Sequence, residues 1–199
     1  MKKLLALALL GALALFAAAC SKSDTETAAP APVANPAAAP KAETAGDKDI
    51  PAAVKAAFPG AQSFTKQHKD ISPAQKADIE KDTGGKLPDN DHHSYLAFAT
   101  DGGARKQIGA ATVVSAGGKE AVIIYENREG NPFIKEVRAE GVAPAFLDQF
   151  KGKGHDDKLS FGGAIKAQGA DEAIAKALTL AIAVDVHTMQ ALYGAAHTH

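Results

Sequence analysis

Histidine and acidic residues are the side chains of this sequence best suited to chemistry. They cluster in "DNDHHS" (residues 89–94) and "GHDD" (residues 154–157), and the chain ends in "HTH". Imidazole and carboxylate ligands together suit zinc, copper or nickel. Asp91, His92, His93 and His155 are therefore candidate ligands of a divalent-metal site, which would make the protein a metal-binding lipoprotein. In the alternative interpretation, each histidine is an exposed or hydrogen-bonded residue that binds no metal.

The spacing of the histidines limits how they could share a metal ion. No two of them are four residues apart, as they are in the common helical zinc motif. Neighbouring side chains on a strand point to opposite faces, so His92 and His93 could bind one ion only in a bent segment. The sequence predicts that residues 89–93 form a loop.

Asp185 is the second residue with chemical interest, because it lies in the middle of an apolar stripe. A long helix is predicted from Asp171 to Tyr193, and its apolar residues recur at helical spacing at Ile174, Leu178, Ala181, Ile182, Met189 and Leu192. A carboxylate on a buried face is costly unless it is paired. Asp185 is therefore either hydrogen-bonded to a loop or a cation, or a carboxylate that contacts a ligand in a pocket.

The sequence gives little support for enzyme motifs, nucleic-acid binding or cysteine chemistry. The sequence contains no G-x-S-x-G, no phosphate-binding P-loop and no H-E-x-x-H, so we expect a protein that is not an enzyme. The formal net charge is −1 and no basic run occurs, which argues against nucleic acid as a partner. The single cysteine, Cys20, excludes an intramolecular disulfide and a cysteine-based zinc site.

The N-terminal stretch "MKKLLALALLGALALFAAAC" resembles a bacterial lipoprotein signal. Two lysines precede a short apolar core, and small residues lead to Cys20. We predict a signal peptide over residues 1–19 and a palmitate-carrying Cys20 that anchors the protein to a membrane; the alternative is an ordinary secretory signal. Ser21, by resemblance to Gram-negative lipoproteins, favours the outer membrane facing the periplasm. In a Gram-positive host the protein would lie on the outer face of the only membrane.

The rest of the chain divides by composition. Residues 20–50 are rich in alanine and proline and offer little to bury, which predicts an extended tether. Residues 51–193 are long enough for one domain with its own core. Residues 194–199 form a tail that contains histidines.

The pattern within the domain predicts an α+β fold. Helices are predicted to begin near Pro51 and after Ser72, which with Gln75 forms a capping box. Four stretches rich in β-branched and aromatic residues follow, separated by short glycine turns: "SYLAFA", "QIGAATVVSA", "EAVIIYEN" and "FIKEVRA". We predict an antiparallel meander sheet with N-terminal helices and a long C-terminal helix packed on it.

The order of these pieces resembles the FMN-binding-domain family. The resemblance rests on "AAFPGAQSF" with "SPAQKADIEKDTGG", then "AVIIYENREGNPFIKEVRAEG", "FLDQFKGK" and "IKAQGADEAIAKAL". That family includes flavin-carrying periplasmic subunits of Rnf and sodium-pumping NADH:quinone reductase complexes. The resemblance implies FMN as a cofactor, a redox protein as a partner, and a role as an accessory or binding module in extracytoplasmic electron transfer.

The flavin-attachment position departs from the family pattern. In the family, the threonine that ends Asp-x-x-Ser/Thr-Gly-Ala-Thr carries FMN through a phosphoester bond. Gly169 and Ala170 match this motif and are candidate cofactor-binding residues, but Asp171 stands where the threonine would be. Asp171 and Glu172 would also place negative charge where a helix start would otherwise attract phosphate. We therefore predict that covalent flavin attachment has been lost.

Overall fold

The structure is a computed structural model that describes residues 41–43 and 49–195. The predicted signal peptide, Cys20, most of the tether and the tail histidines His197 and His199 lie outside the described residues. Within the described part of the chain, no helix is long and apolar enough to cross a membrane.

The described residues form one antiparallel sheet with helices against it, which confirms the predicted α+β fold. Six strands lie in chain order across the sheet: β1 (Lys41–Glu43), β2 (Ser63–Asp70), β3 (Asp91–Asp101), β4 (Ala104–Ala116), β5 (Lys119–Arg128) and β6 (Asn131–Ala139). The helices are α1 (Ala52–Ala57), α2 (Pro73–Thr83), α3 (Pro144–Leu147), which continues as a 3-10 turn (Asp148–Phe150), and α4 (Glu172–Tyr193).

The four-strand meander was predicted correctly, whereas the strands on the N-terminal side of the sheet were not predicted. Strands β3 to β6 are the four predicted strands, and the long C-terminal helix is α4. The structure adds β2, which the sequence analysis did not predict, and β1, which lies within the segment predicted as a tether. It also begins β3 at Asp91, so the histidine-rich segment predicted as a loop belongs largely to a strand.

Helix α2 shows why short sequence signals place helix ends well. The Ser72 hydroxyl accepts a hydrogen bond from the Gln75 amide, and the Gln75 side chain accepts one from the Ser72 amide. These two bonds satisfy amides that have no partner inside the helix. Gly84 ends the helix at φ 70°, a left-handed conformation that glycine adopts without steric cost.

The two faces of the sheet carry different cores. One core packs α4 against β5 and β6, with Ile123, Leu178 and Ile182 fully buried. The other packs α1 against the opposite face, where Val54 meets residues such as Tyr95. Because side chains alternate along a strand, each residue of β3 belongs to one of these faces.

Strands β3 and β4 separate at one end of the sheet. Their pairing runs from Asp101↔Ala104 to Tyr95↔Ala111 and stops there. Beyond that point β3 continues to Asp91 beside β2, while β4 continues to Ala116 beside β5. Because the two strands separate here, a cleft lies between them.

Candidate functional site

Side chains at the start of β3 alternate between the two faces of the sheet. Tyr95 belongs to the core under α1, so His93 and Asp91, at two-residue intervals, share its face. His92 points the other way and contacts Asp185 of α4. His92 and His93 therefore do not converge on one point, as the alternation of a straight strand predicts.

Three side chains on the α1 face lie close enough to hold a metal ion. His68 of β2 pairs directly with His93 of β3, and Asp91 lies two residues before His93. Their ligand atoms all lie within 4.8 Å of one another. Asp91 Oδ1 is 2.8 Å from His68 Nε2, and Asp91 Oδ2 is 3.5 Å from His93 Nε2. We call these residues the His68–Asp91–His93 cluster.

The distances within this cluster suit a zinc-sized ion. Zinc bonds nitrogen and oxygen at about 2.1 Å, so two ligands of a tetrahedral site lie about 3.4 Å apart. The 3.5 Å between Asp91 and His93 already has that length, and the 2.8 Å between Asp91 and His68 is somewhat shorter. Both distances are thus close to the spacing of two ligands around one zinc ion.

The charges around the cluster also favour a cation. Asp70 and Asp91 pair directly across β2 and β3, and like charges opposite each other destabilise a sheet. Asp70 Oδ1 lies 3.3 Å from His68 Nε2, which places the carboxylate of a fourth residue beside the cluster. Partial burial lowers the pKa of His93, an effect that the nearby Asp91 opposes. A lowered pKa favours the neutral imidazole, which is the form that binds metals.

The other predicted ligands lie elsewhere. His92 is 8% exposed and faces α4. His155 lies 3.1 Å from Asp156 and packs edge-on against His187. Of the four predicted metal ligands, the structure thus brings together Asp91 and His93, whereas the predicted set omitted His68.

His68 was missed because "SFTKQHKD" was not recognised as a strand. A usable signal lies in the chain length between the end of α1 and Ser72, which leaves room for one strand after Pro59 and Gly60. With β2 in place, an antiparallel neighbour would have brought its histidine near those of β3.

Asp185 sits at the centre of a buried hydrogen-bond network. It is 7% exposed, and its Oδ2 accepts hydrogen bonds from Thr112 Oγ1 at 2.5 Å and Tyr125 Oη at 2.7 Å. Its Oδ1 lies 3.2 Å from His92 Nε2. The donors come from β4, β5 and β3, so three strands satisfy one helix carboxylate. This is the hydrogen-bonded arrangement of the first interpretation, with strand side chains in place of a loop or a cation.

The Tyr125 phenol keeps its proton in this network. Burial raises its pKa well above the ordinary value, and the adjacent Asp185 carboxylate adds to the rise. A neutral phenol is a hydrogen-bond donor, which is what the buried carboxylate requires.

Asp185 also lines the cleft between β3 and β4. The cleft has a volume of about 700 Å³. Its walls come from the start of β3, the end of β4, residues 86–89 and one side of α4. The hydrogen bonds of Asp185 are thus present, whereas contact of its carboxylate with a ligand stays a prediction.

The predicted flavin turn serves as a helix start. Asp171 caps α4 by accepting a hydrogen bond from the Ile174 amide at 3.0 Å. Gly169 adopts φ 86°, which lets the chain turn into the helix between Gln168 and Ala170. Thr179, the next hydroxyl along the helix, is 1% exposed and donates to the Ala175 carbonyl.

The residues at this turn do not fit covalent FMN. Asp171 offers no hydroxyl. Its carboxylate already accepts a hydrogen bond from the Ile174 amide, one of the groups that a phosphate would use. Gly169 and Ala170 match the family motif in sequence alone, and their role as cofactor-binding residues stays a prediction.

Comparisons with protein-family models, curated proteins and solved structures found no match. The resemblance to the FMN-binding-domain family therefore stays a prediction, and the functional argument rests on the residues of this chain.

Proposed function

We propose that this protein is a lipid-anchored binding module for a divalent transition-metal ion held by His68, Asp91 and His93. The observation that carries the proposal is the meeting of three ligand atoms from two adjacent strands within 4.8 Å of one another. Two of the three residues come from the site that the sequence predicted.

The ligand types indicate which ions the cluster would prefer. Two imidazoles and one carboxylate suit zinc, copper or nickel, whereas magnesium and calcium prefer sites made of oxygen atoms. Three protein ligands leave at least one coordination position open to water or another molecule.

The exposure of the cluster suits reversible binding. The side chains of His68, Asp91 and His93 are 43%, 41% and 37% exposed. An ion could therefore reach the cluster and leave it without unfolding of the domain. This is the behaviour expected of a protein that captures or delivers a metal ion, rather than one that needs the ion to fold.

The location of the protein is part of the same proposal. The predicted signal peptide and Cys20 would anchor the domain in the cell envelope, on the outer membrane facing the periplasm or its Gram-positive equivalent. A half-exposed metal site on a tethered domain would meet ions that enter the envelope. The flavin resemblance implies a role in electron transfer. None of the three cluster residues belongs to the flavin motif, so that role stays a prediction.

Metal titration of the full chain tests the proposal. The terminal "HTH" could bind copper or nickel by itself, so both tail histidines, His197 and His199, are first replaced by alanine in the parent protein. Zinc affinity is then measured by competition with a chromophoric chelator for the parent and for His68→Ala, His93→Ala and Asp91→Asn.

Each of these three substitutions should weaken zinc binding by at least about tenfold, because loss of even an outer-sphere partner costs about 10- to 100-fold. His155→Ala is the matched control and should leave the affinity unchanged, since His155 lies outside the cluster. Circular dichroism checks that all variants are folded. Equal zinc affinity in the parent and in a His68→Ala/His93→Ala double variant would disprove the proposed site.

A further inference from the structure

We propose that the His68–Asp91–His93 cluster is a copper(II) site and that Asp70 is its fourth protein ligand. This inference rests on the proposed function, and it narrows the ion from zinc, copper or nickel to copper alone.

The two strands of the cluster carry the same pair of ligand types in opposite order. Strand β2 has His68 and Asp70 two residues apart, and β3 has Asp91 and His93 at the same interval. The antiparallel pairing sets His68 opposite His93 and Asp70 opposite Asp91. Because residues two apart on a strand share a face, all four side chains rise from the same face of the sheet.

Asp70 reaches the cluster at the same atom as Asp91. Its Oδ1 lies 3.3 Å from His68 Nε2, and Asp91 Oδ1 lies 2.8 Å from that nitrogen. The Asp70 side chain is 90% exposed, so packing against the protein does not hold its carboxylate away from an ion. A cation bound here would also offset the repulsion between the two carboxylates that face each other across the strands.

The direction from which the ligands approach distinguishes the candidate ions. Four ligands that rise from one face of a sheet reach an ion from one side and leave its other side to solvent. Zinc in closed protein sites is tetrahedral, with ligands distributed on all sides of the ion. Copper(II) and nickel(II) take tetragonal sites of nitrogen and oxygen, in which four ligands lie near one plane. The arrangement on this sheet matches the tetragonal geometry.

Affinity separates copper from nickel. For a given set of nitrogen and oxygen ligands, copper(II) binds more tightly than nickel(II) or zinc. Nickel shares the geometry but not this affinity. Two imidazoles and two carboxylates on one face of a sheet therefore point to copper(II).

Electron paramagnetic resonance and metal competition on the full chain test the proposal. The parent is again the protein in which the tail histidines, His197 and His199, are replaced by alanine. Its copper(II) signal should be tetragonal, with a large copper splitting along its axis and coupling to the two nitrogen atoms supplied by His68 and His93. Copper should also bind at least about tenfold more tightly than zinc in competition with a chelator.

Asp70→Ala tests the fourth ligand. This substitution should weaken copper binding at least about tenfold and change the copper signal, because water replaces a carboxylate oxygen beside the ion. Asp78→Ala, which removes an exposed aspartate of α2, is the matched control and should change neither. A copper signal that is the same in Asp70→Ala and in the parent would overturn Asp70 as a ligand, even if the affinity falls.

The other outcomes separate this inference from the proposed function. Suppose that zinc binding depends on His68 and His93, but copper binds no more tightly than zinc or gives the small splitting of a tetrahedrally distorted site. The copper assignment would then be overturned, and the proposed function would stand. If both ions bind the parent and the His68→Ala/His93→Ala double variant equally, the proposed function and this inference fail together.

Discussion

Asp185 shows how a single buried charge can be tolerated inside this domain. A carboxylate loses much of its hydration when it is buried, and only strong hydrogen bonds offset that loss. Thr112, Tyr125 and His92 supply three donors to it from three different strands. The carboxylate thus links α4 to the sheet at a position where an apolar side chain would only pack.

Replacing this carboxylate with an amide should destabilise the protein strongly. Asp185→Asn keeps the size of the side chain but directs an N–H₂ group at a neighbour that also donates, so one hydrogen bond is lost and a buried donor is left unpaired. We expect the free energy of unfolding to fall by about 2–4 kcal/mol, measured by urea unfolding followed by circular dichroism.

Thr179→Val is the matched control for this substitution. Thr179 lies on the same helix and is also buried, but its hydroxyl bonds to the Ala175 carbonyl of its own helix. Its replacement should cost less than about 1 kcal/mol. Similar losses in the two variants would contradict the importance assigned to the Asp185 network.

The sequence identified Asp185 but could not identify its partners. A charged residue at the centre of an apolar helical stripe is visible in the sequence, because the period of a helix is fixed. Thr112, Tyr125 and His92 are distant in the chain, and only the register of the sheet against α4 brings them together. The same limit applies to His68, whose proximity to His93 depends on a strand pairing that no local pattern specifies.

At the scale of elements, local signals determine the ends of the helices. Asp171 caps α4 through the Ile174 amide, and Ser72 and Gln75 cap α2 reciprocally. Caps of this kind can be predicted from sequence, as the capping box of α2 was, because they depend on residues only three positions apart. Strand β2 was missed because its sequence mixes charged and polar residues, with only Thr65 among its side chains buried.

The cap of α4 should contribute measurably to stability. Asp171→Ala removes the acceptor for the Ile174 amide and a negative charge from the start of the helix dipole. We expect a loss of about 1 kcal/mol in the free energy of unfolding. Asp171→Asn retains an acceptor oxygen, so its free energy of unfolding should fall by no more than a few tenths of a kcal/mol. If alanine and asparagine variants are equally stable, the side-chain cap does not contribute in solution.

At the scale of the whole molecule, the folded region begins earlier than composition predicts. Ile50, the last residue of the predicted tether, is 5% exposed and belongs to the core under α1. Strand β1 adds backbone pairing to β2 from within the same alanine- and proline-rich segment. Composition averages over such a segment, so it cannot detect a short edge strand or one buried isoleucine.

The tyrosines should make the stability of the whole domain fall in alkaline solution. The chain has three tyrosines and no tryptophan. Burial raises the pKa of Tyr95, Tyr125 and Tyr193 above the ordinary value of 10.0. As the pH rises past that value, the unfolded chain loses phenol protons that the folded chain keeps, so the free energy of unfolding decreases. Each tyrosine can contribute a slope of at most about 1.4 kcal/mol per pH unit.

Tyrosinate absorbance and circular dichroism, recorded together from neutral pH upward, measure this effect. Lys69 acts in the opposite sense, because burial lowers its pKa and the folded chain releases that proton first. Three tyrosines outweigh one half-exposed lysine, so the absorbance should rise above pH 10 together with the loss of secondary structure. Tyr125→Phe should reduce the slope by the largest single share, since Tyr125 is the most deeply buried of the three. Ionisation of all three phenols near pH 10 in a chain that stays folded would show that solvent reaches the Asp185 network freely.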